Sequence, residues 1–361
     1  MARILIAPDS FKGSASSAQV AHALAEGWQM VRPNDEIAVA PFADGGEGTL
    51  DCIESVSRNS ERIPITVQGA TGIEHQSSWL LVDGDTAIIE MAALCGITTV
   101  EKLDPLGAHS FGLGQAIKAV LEDERVNEIL IAVGGSASTD AGMGALSALG
   151  YKGLDADSKE LARGGGELHR LARIEAPENL RTPKRGIKIL VDVQSPLTGV
   201  NGAAYVFGPQ KGVDAGQVEH LDKSLTHFLK VLGVEDRAGF GAAGGVSCGL
   251  AVMLGASIVS GVSTIADVIG LKEKIRHCDC VITGEGSFDD QSYRGKAVGY
   301  VLETANEIQR PVMIACGVNQ NAESSSILSL VELAPSRESA IADSQRWLVE
   351  CGKVLASRFH H

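Results

Sequence analysis

Short apolar runs recur along this chain, each breaking into a glycine-rich, acid-bearing turn and then into an amphipathic helix. That alternation restricts the chain to an α/β fold. Residues 4–7 run into Pro8-Asp9-Ser10-Phe11-Lys12-Gly13-Ser14, and residues 37–40 into Pro41-Phe42-Ala43-Asp44-Gly45-Gly46-Glu47-Gly48-Thr49. Residues 128–133 run into Gly134-Gly135-Ser136-Ala137-Ser138-Thr139-Asp140-Ala141-Gly142, and residues 187–193 into Gln194-Ser195-Pro196-Leu197-Thr198-Gly199. Val281 and Ile282 run into the stretch that ends at Lys296. Apolar runs of this length without alternation suit strands buried on both faces, and helices at the following positions supply the cover of a parallel sheet.

The pattern changes between residues 62 and 93. Residues 63–67, 79–82 and 87–91 read as strands without helices between them, and Val82-Asp83-Gly84-Asp85-Thr86 is a hairpin signal. Local antiparallel sheet inside an α/β pattern predicts a second domain inserted into the first. The expected division is a Rossmann-like parallel-sheet domain of residues 1–60, 101–150 and 246–361, with a smaller mixed α/β domain of residues 61–100 and 151–245. Further helices are predicted over 216–232, 264–275, 297–309 and 338–356, and further strands over 311–315 and 328–333. A length of 361 residues agrees with two cores.

Composition removes several function classes. The net charge of −14 argues against nucleic-acid or anionic-membrane partners, which require a basic face. No apolar run reaches the length of a membrane span. The opening MARILIAPDS is interrupted at Pro8 and Asp9 and reads as a first buried strand, not a leader. The seven cysteines are odd in number and contain no C-x-x-C pair, so they read as buried, reduced thiols of a cytoplasmic protein.

The chemistry lies in the turns. Within residues 281–296, Gly284, Glu285 and Gly286 are followed by Asp289 and Asp290 and then by Arg294 and Lys296. Glycines allow close backbone approach to phosphate, a following helix offers free N–H groups, and carboxylates can hold Mg²⁺ together with substrate phosphates. Each turn also has an ordinary reading. Lys12 alone is a solvated loop lysine, Glu47 a helix-capping acid, and Ser138 or Thr139 a cap with Asp140 in the first turn. The five turns together contain the inventory of phosphoryl transfer: glycine and hydroxyl cradles, metal-holding acids, charge-balancing cations and a carboxylate to orient an acceptor hydroxyl.

Two short matches fail on context. Gly239-x-Gly241-x-x-Gly244 follows Glu235-Asp236-Arg237 where a dinucleotide fingerprint needs a strand. Gly245-x-Ser247-x-Gly249 likewise has no strand leading into its serine, so it is not a nucleophile elbow. P-loop and protein-kinase signatures are absent.

The segments APDSFKGS (residues 7–14), PFADGGEGT (41–49), GGSASTDAGMG (134–144), PLTG…GAAYVFGPQKG (196–212), GAAGG (241–245) and TGEGSFDDQSYRGKA (283–297) resemble, in order and across nearly the whole chain, the bacterial glycerate kinase family. The resemblance implies ATP- and Mg²⁺-dependent phosphorylation of D-glycerate to 2-phosphoglycerate, and two α/β domains with the active site between them. A 3-phosphate product, a metal-dependent phosphohydrolase of small esters and a nucleotide-binding sensor are the competing readings; a homodimer is the assembly considered. Two departures stand out: Gln194-Ser195 replaces an expected Asp-Asn pair, and Asp290 is an extra acid beside Asp289. The roles expected on this basis are as follows. Asp192 is the favoured base. Lys12 and Lys296 contact glycerate carboxylate or ATP phosphates. Ser10, Gly45, Gly46, Gly135, Ser136, Ser138, Gly284 and Gly286 bind phosphate or substrate. Asp44, Glu47, Glu285 and Asp289 form the Mg²⁺ pool.

Overall fold

The computed structural model describes residues 1–290, 292–293, 296–321 and 324–359; Arg294 lies outside the described residues. In chain order the strands are β1 (Arg3–Ile6), β2 (Glu36–Val39), β3 (Ser60–Gln68), β4 (Glu74–Val82), β5 (Thr86–Glu90), β6 (Glu128–Ala132), β7 (Lys152–Leu154), β8 (Arg173–Glu175), β9 (Ile187–Leu190), β10 (Ser257–Val259), β11 (Cys280–Phe288), β12 (Val312–Asn319) and β13 (Ile327–Ser329). The chain divides into two compact units, one formed by Met1–Asp44, Asp51–Arg58 and the chain from Val262 onward, the other by Gly45–Leu50 and Asn59–Gly261.

The first unit is built on a parallel sheet of order β13-β12-β11-β1-β2. Its strands are apolar on both faces, as such a sheet requires: Ile4, Leu5, Ile6, Val281 and Ile282 are all fully buried or nearly so. One face is covered by the helices Ser17–Val31 and Ser344–Arg358, whose Val20, Leu24, Trp28, Leu348 and Leu355 share a core. These helices touch backbone to backbone. A Cβ at Gly27 would lie 2.0 Å from the Val349 carbonyl oxygen, so only glycine fits. Ser16 caps the first helix, in a capping box with Gln19. Phe288, Val298, Ile314 and Cys316 form a second cluster of this unit, to which the helix Ala297–Glu307 contributes Val298. Strand β1 leads through its helix to β2 on one side, and β11 leads through its helix to β12 on the other. The chain therefore changes direction between β1 and β11, which creates a crevice beyond their carboxyl ends.

The second unit contains a six-stranded sheet of order β10-β9-β6-β5-β4-β3. Strands β3, β4 and β5 are antiparallel, as the hairpin signal predicts, whereas β5, β6, β9 and β10 run parallel. Ile89, Ile131 and Ile189 of the parallel part are buried with Leu113 and Ile117 of the helix Phe111–Glu122. Strands β7 and β8 form a separate antiparallel pair.

The architecture corrects several expectations. Residues 101–150 and 246–261 belong to the second unit, because β6 hydrogen-bonds to β5 and β9, and β10 extends the same sheet. The inserted unit is consequently the larger one. A buried parallel strand looks the same whichever sheet receives it, so sequence alone did not separate them. The strand expected over 328–333 stops at Ser329, whose hydroxyl accepts from the Glu332 N–H and starts the helix Leu330–Leu333. The closing helix is two, Arg337–Ala342 and Ser344–Arg358. The helix expected over 264–275 breaks at Gly270, whose φ of 62° is left-handed, into Gly261–Val268 and Leu271–Arg276.

Candidate active site

A cavity of about 380 Å³ opens at the crevice of the first unit. Its charged wall consists of Asp9, Ser10 and Lys12 after β1, Asp44 after β2, Glu285 and Gly286 from the end of β11, and then Asp289 and Lys296. Asp9 is held by its backbone, its N–H donating to the Gly284 carbonyl at 2.8 Å, and its Oδ1 accepts from the Ser10 N–H at 2.6 Å. Burial, reinforced by the neighbouring Asp44 charge and only partly opposed by Lys12, pushes the Asp9 carboxyl up to about 7. Lys296 lies 3.5 Å from Glu285 Oε2. Glu285 Oε1 is buried and has no hydrogen-bond partner. A buried carboxylate oxygen without a donor is costly, and a cation or a donating ligand relieves that cost. Lys12 is exposed and has no ion-pair partner among the described residues. Asp289 accepts from the Ser292 N–H at 3.2 Å while the Ser292 hydroxyl accepts from the Asp289 N–H at 2.9 Å, a closed turn that places the acid on the cavity wall.

The glycines of this stretch have a structural reason that the sequence reading missed. The predicted turn after Ile282 is strand: β11 continues to Phe288, with Gly284 paired to Ala315 and Glu285 to Cys316. A Cβ on Gly284 would lie 1.8 Å from the Ala315 carbonyl oxygen, and one on Gly317 would lie 2.4 Å from the Gly286 carbonyl oxygen. These glycines allow β11 and β12 to approach closely, which carries Glu285 to the rim. Gly286 lines the cavity.

In the second unit, two of the predicted loops pack together. The Gly134 N–H donates to the Gly45 carbonyl at 3.1 Å, and a Cβ on Gly134 would lie 2.6 Å from Gly46 Cα. Glu47 is exposed, and the acid that holds this turn is Glu90 at the end of β5, which accepts from the N–H groups of Gly48 and Leu50 at 3.1 and 3.0 Å. Asp140 is fully buried. It accepts from the Ser110 N–H and hydroxyl, the Ser138 hydroxyl and the N–H groups of Gly142 and Gly144, at 2.7 to 3.2 Å. Ser138 thus donates to Asp140 and does not cap the helix Met143–Ala148, whose N-cap is Gly142. Lys211 is buried. Its ammonium donates to the Ser136 hydroxyl at 2.9 Å and to the Ser138 carbonyl, and burial lowers its pKa to about 8. Asp192, after β9, accepts at one oxygen from the Ser260 hydroxyl at 2.8 Å and the Gly261 N–H at 3.1 Å. Ser247, the centre of the failed elbow match, is buried with its hydroxyl aimed at the carbonyls of Gly239, Phe240 and Ala242, and so has a structural role.

The family model for the glycerate kinase family matches residues 4–360. The chain belongs to the glycerate kinase family. It is 40% identical over 325 residues to glycerate 2-kinase of Escherichia coli K12, covering 87% of this chain and 85% of the relative. It is 35% identical over 373 residues to a glycerate kinase of Bacillus subtilis 168, covering 98% and 97%. A crystal structure from Salmonella typhimurium LT2, provisionally assigned as a glycerate kinase 2, superposes with a TM-score of 0.82 at 33% identity over 99% of this chain and 97% of that one. Membership makes the chain a kinase. In this glycerate kinase family member, the sequence-selected residues fall into two sets, each within one unit. Ser10, Lys12, Asp44, Glu285, Gly286, Asp289 and Lys296 share the cavity. Gly45, Gly46, Glu47, Gly135, Ser136, Ser138 and Asp192 belong to the loops of the second unit. Asp9, Glu90 and Lys211 were not selected. Asp9 stood in a noted loop at a strand end, whereas Glu90 and Lys211 carried no signal of burial.

Among the described residues no group of three or more His, Cys, Asp or Glu has metal-holding geometry, so the four-acid Mg²⁺ pool is not assembled as a protein cage. Glu47 belongs to the second unit. The unpartnered Glu285 oxygen beside Asp9 and Asp44 still suits Mg²⁺, which takes one or two carboxylates and leaves its other positions to phosphates and water. No helix among the described residues is long and apolar enough to cross a membrane. All seven cysteines are free and buried.

Proposed function

We propose that the chain catalyses ATP-dependent phosphorylation of D-glycerate to 2-phosphoglycerate, assisted by Mg²⁺. The observation that supports this best is the switch-point cavity, where Lys12 and Lys296 face Asp9, Asp44, Glu285 and Asp289. Cations and carboxylates that are left partly unpaired in one cavity suit a polyanion with its divalent ion, and they suit poorly a site for a neutral ligand. The name glycerate 2-kinase borne by the E. coli relative supports the regiochemistry.

In the reaction, the acceptor hydroxyl oxygen bonds to the γ-phosphorus, the bond to the bridging oxygen breaks, and ADP leaves. Lys12 and Lys296 bind anionic oxygens of the substrates and balance the charge they carry. Glu285, with Asp44 and Asp289, would hold Mg²⁺, which neutralises phosphate charge when bound. Asp192 takes the hydroxyl proton. Its orientation is fixed by Ser260 and Gly261, so the proton acceptor is positioned before substrate arrives. Ser136, with Gly45, Gly46 and Gly135, offers hydroxyl and backbone donors to substrate. Ser138 serves by holding Asp140 in place.

The test couples ADP formation to added ATP and glycerate and identifies the product by phosphorus NMR. ADP release that requires glycerate, with a 2-phosphate product, is expected. A 3-phosphate overturns the regiochemistry, and phosphate release from an ester without ATP replaces the kinase by a hydrolase. Asp192→Asn should lower kcat by roughly 10²- to 10⁴-fold with ATP affinity within a few-fold of wild type; near-normal turnover would remove Asp192 from its role.

A further inference from the structure

The first unit's cavity has two chemically different halves. Beyond the charged wall, its lining continues as Val318 at the end of β12, Leu330 and Val331 at the start of the helix after β13, and Ala340 and Ile341 in the helix Arg337–Ala342. Leu330 and Ala340 are buried, but Ile341 is 55% exposed, an aliphatic side chain left in water at the cavity. The sheet order places the apolar half over β12 and β13 and the charged half over β11 and β1. With strands roughly 4.8 Å apart, β13 to β1 is three spacings, about 14 Å.

A three-carbon hydroxy acid has a carboxylate and two hydroxyls and no apolar surface to cover such a wall. A purine base is flat, apolar on its faces and polar at its edge, and gains by covering aliphatic side chains. A ligand that needs both an apolar wall and a row of cations across 14 Å is an extended nucleoside triphosphate. We propose that this cavity is the nucleotide subsite, with the base on the wall of Val318, Leu330, Val331, Ala340 and Ile341 and the triphosphate along Lys12 and Lys296. Arg337, which lines the cavity beside the wall and has no ion-pair partner among the described residues, supplies a third cation to the same ligand. Glycerate is thereby assigned elsewhere than this cavity's apolar half. The inference rests on the kinase reading of the site.

Ile341→Asn tests it, because a side chain more than half exposed can change without loss of fold and a neutral replacement leaves the charge of the cavity as it was. KM for ATP should rise tenfold or more, while kcat and KM for glycerate stay within about twofold. A fluorescent ATP analogue titrated in the absence of glycerate should lose affinity by the same factor. Inorganic triphosphate, which lacks a base, should bind wild type and variant alike, so a general defect that weakens both probes overturns the proposal. A rise in KM for glycerate with unchanged nucleotide affinity also overturns it, as does no change in either. If wild type shows no turnover with glycerate, the kinase reading fails, and the two titrations still decide whether the wall binds a base.

Discussion

The loops of the second unit and the cavity of the first treat charge in opposite ways. In the second, Asp140 is fully buried and collects five donors, Glu90 takes two backbone N–H groups, and Lys211 donates to a hydroxyl and a carbonyl. In the first, Glu285 keeps an oxygen without a donor, Asp9 is pushed towards its protonated form, and Lys12 stands without an ion-pair partner among the described residues. Buried polar groups ordinarily find partners. A satisfied network holds a loop in shape, whereas an unsatisfied one is completed by a ligand. The same residue types, acid, lysine and serine beside glycine, are scaffold in one place and candidate binding surface in the other.

The comparison can be broken by substitution. The largest effect is expected from Lys12→Ala or Lys296→Ala, each lowering kcat/KM by roughly 10²- to 10³-fold, since a charge-assisted contact to a polyanion is lost. Thermal unfolding of Lys12→Ala should stay near wild type, because Lys12 has no ion-pair partner among the described residues; a large drop in Tm would class it as scaffold. Asp140→Ala should do the reverse. Removing the acceptor of five donors should cost about 3 kcal/mol of stability in chemical denaturation, with turnover per folded molecule much less affected. A stable but inactive Asp140→Ala would move Asp140 into the chemistry.

The most specific effect concerns Asp9. An acid whose carboxyl is raised in the folded state from an ordinary 3.8 to about 7 binds its proton more tightly folded than unfolded. The folded state therefore loses stability as pH climbs from about 4 to 7, and the full cost is present above 7. Asp9→Asn removes that cost. In chelator-containing buffer its Tm should exceed wild type at pH 8 and match it at pH 4. Equal gains at both pH values would mean that ionisation of Asp9 is not what strains the cavity.

Much of the first unit was legible. Its strands are short buried apolar runs, its helices carry period-3.6 faces, and the turn acids follow in sequence, so Lys12, Asp44, Glu285, Asp289 and Lys296 could be picked out by position. The extent of β11 was not legible, because Gly284-Glu285-Gly286 reads as a turn until Ala315 and Cys316 are seen beside it. Glu90 was not legible as the acid that holds the turn at residues 45–49 for the same reason: Glu47, next to the helix start, reads as its cap, while the acid that accepts the Leu50 N–H comes from 40 residues away along the chain.

The order of strand, turn and helix, and the family to which the chain belongs, are written locally, in propensities and motifs that each residue carries with it. Which sheet receives β6 and β10, which acids end with saturated hydrogen bonds and which are left wanting, and that an aliphatic wall stands beside the cations, were decided only by tertiary structure. Burial and hydrogen-bond satisfaction depend on groups far apart in sequence, and those two properties separate a charge that builds the fold from one that awaits a ligand.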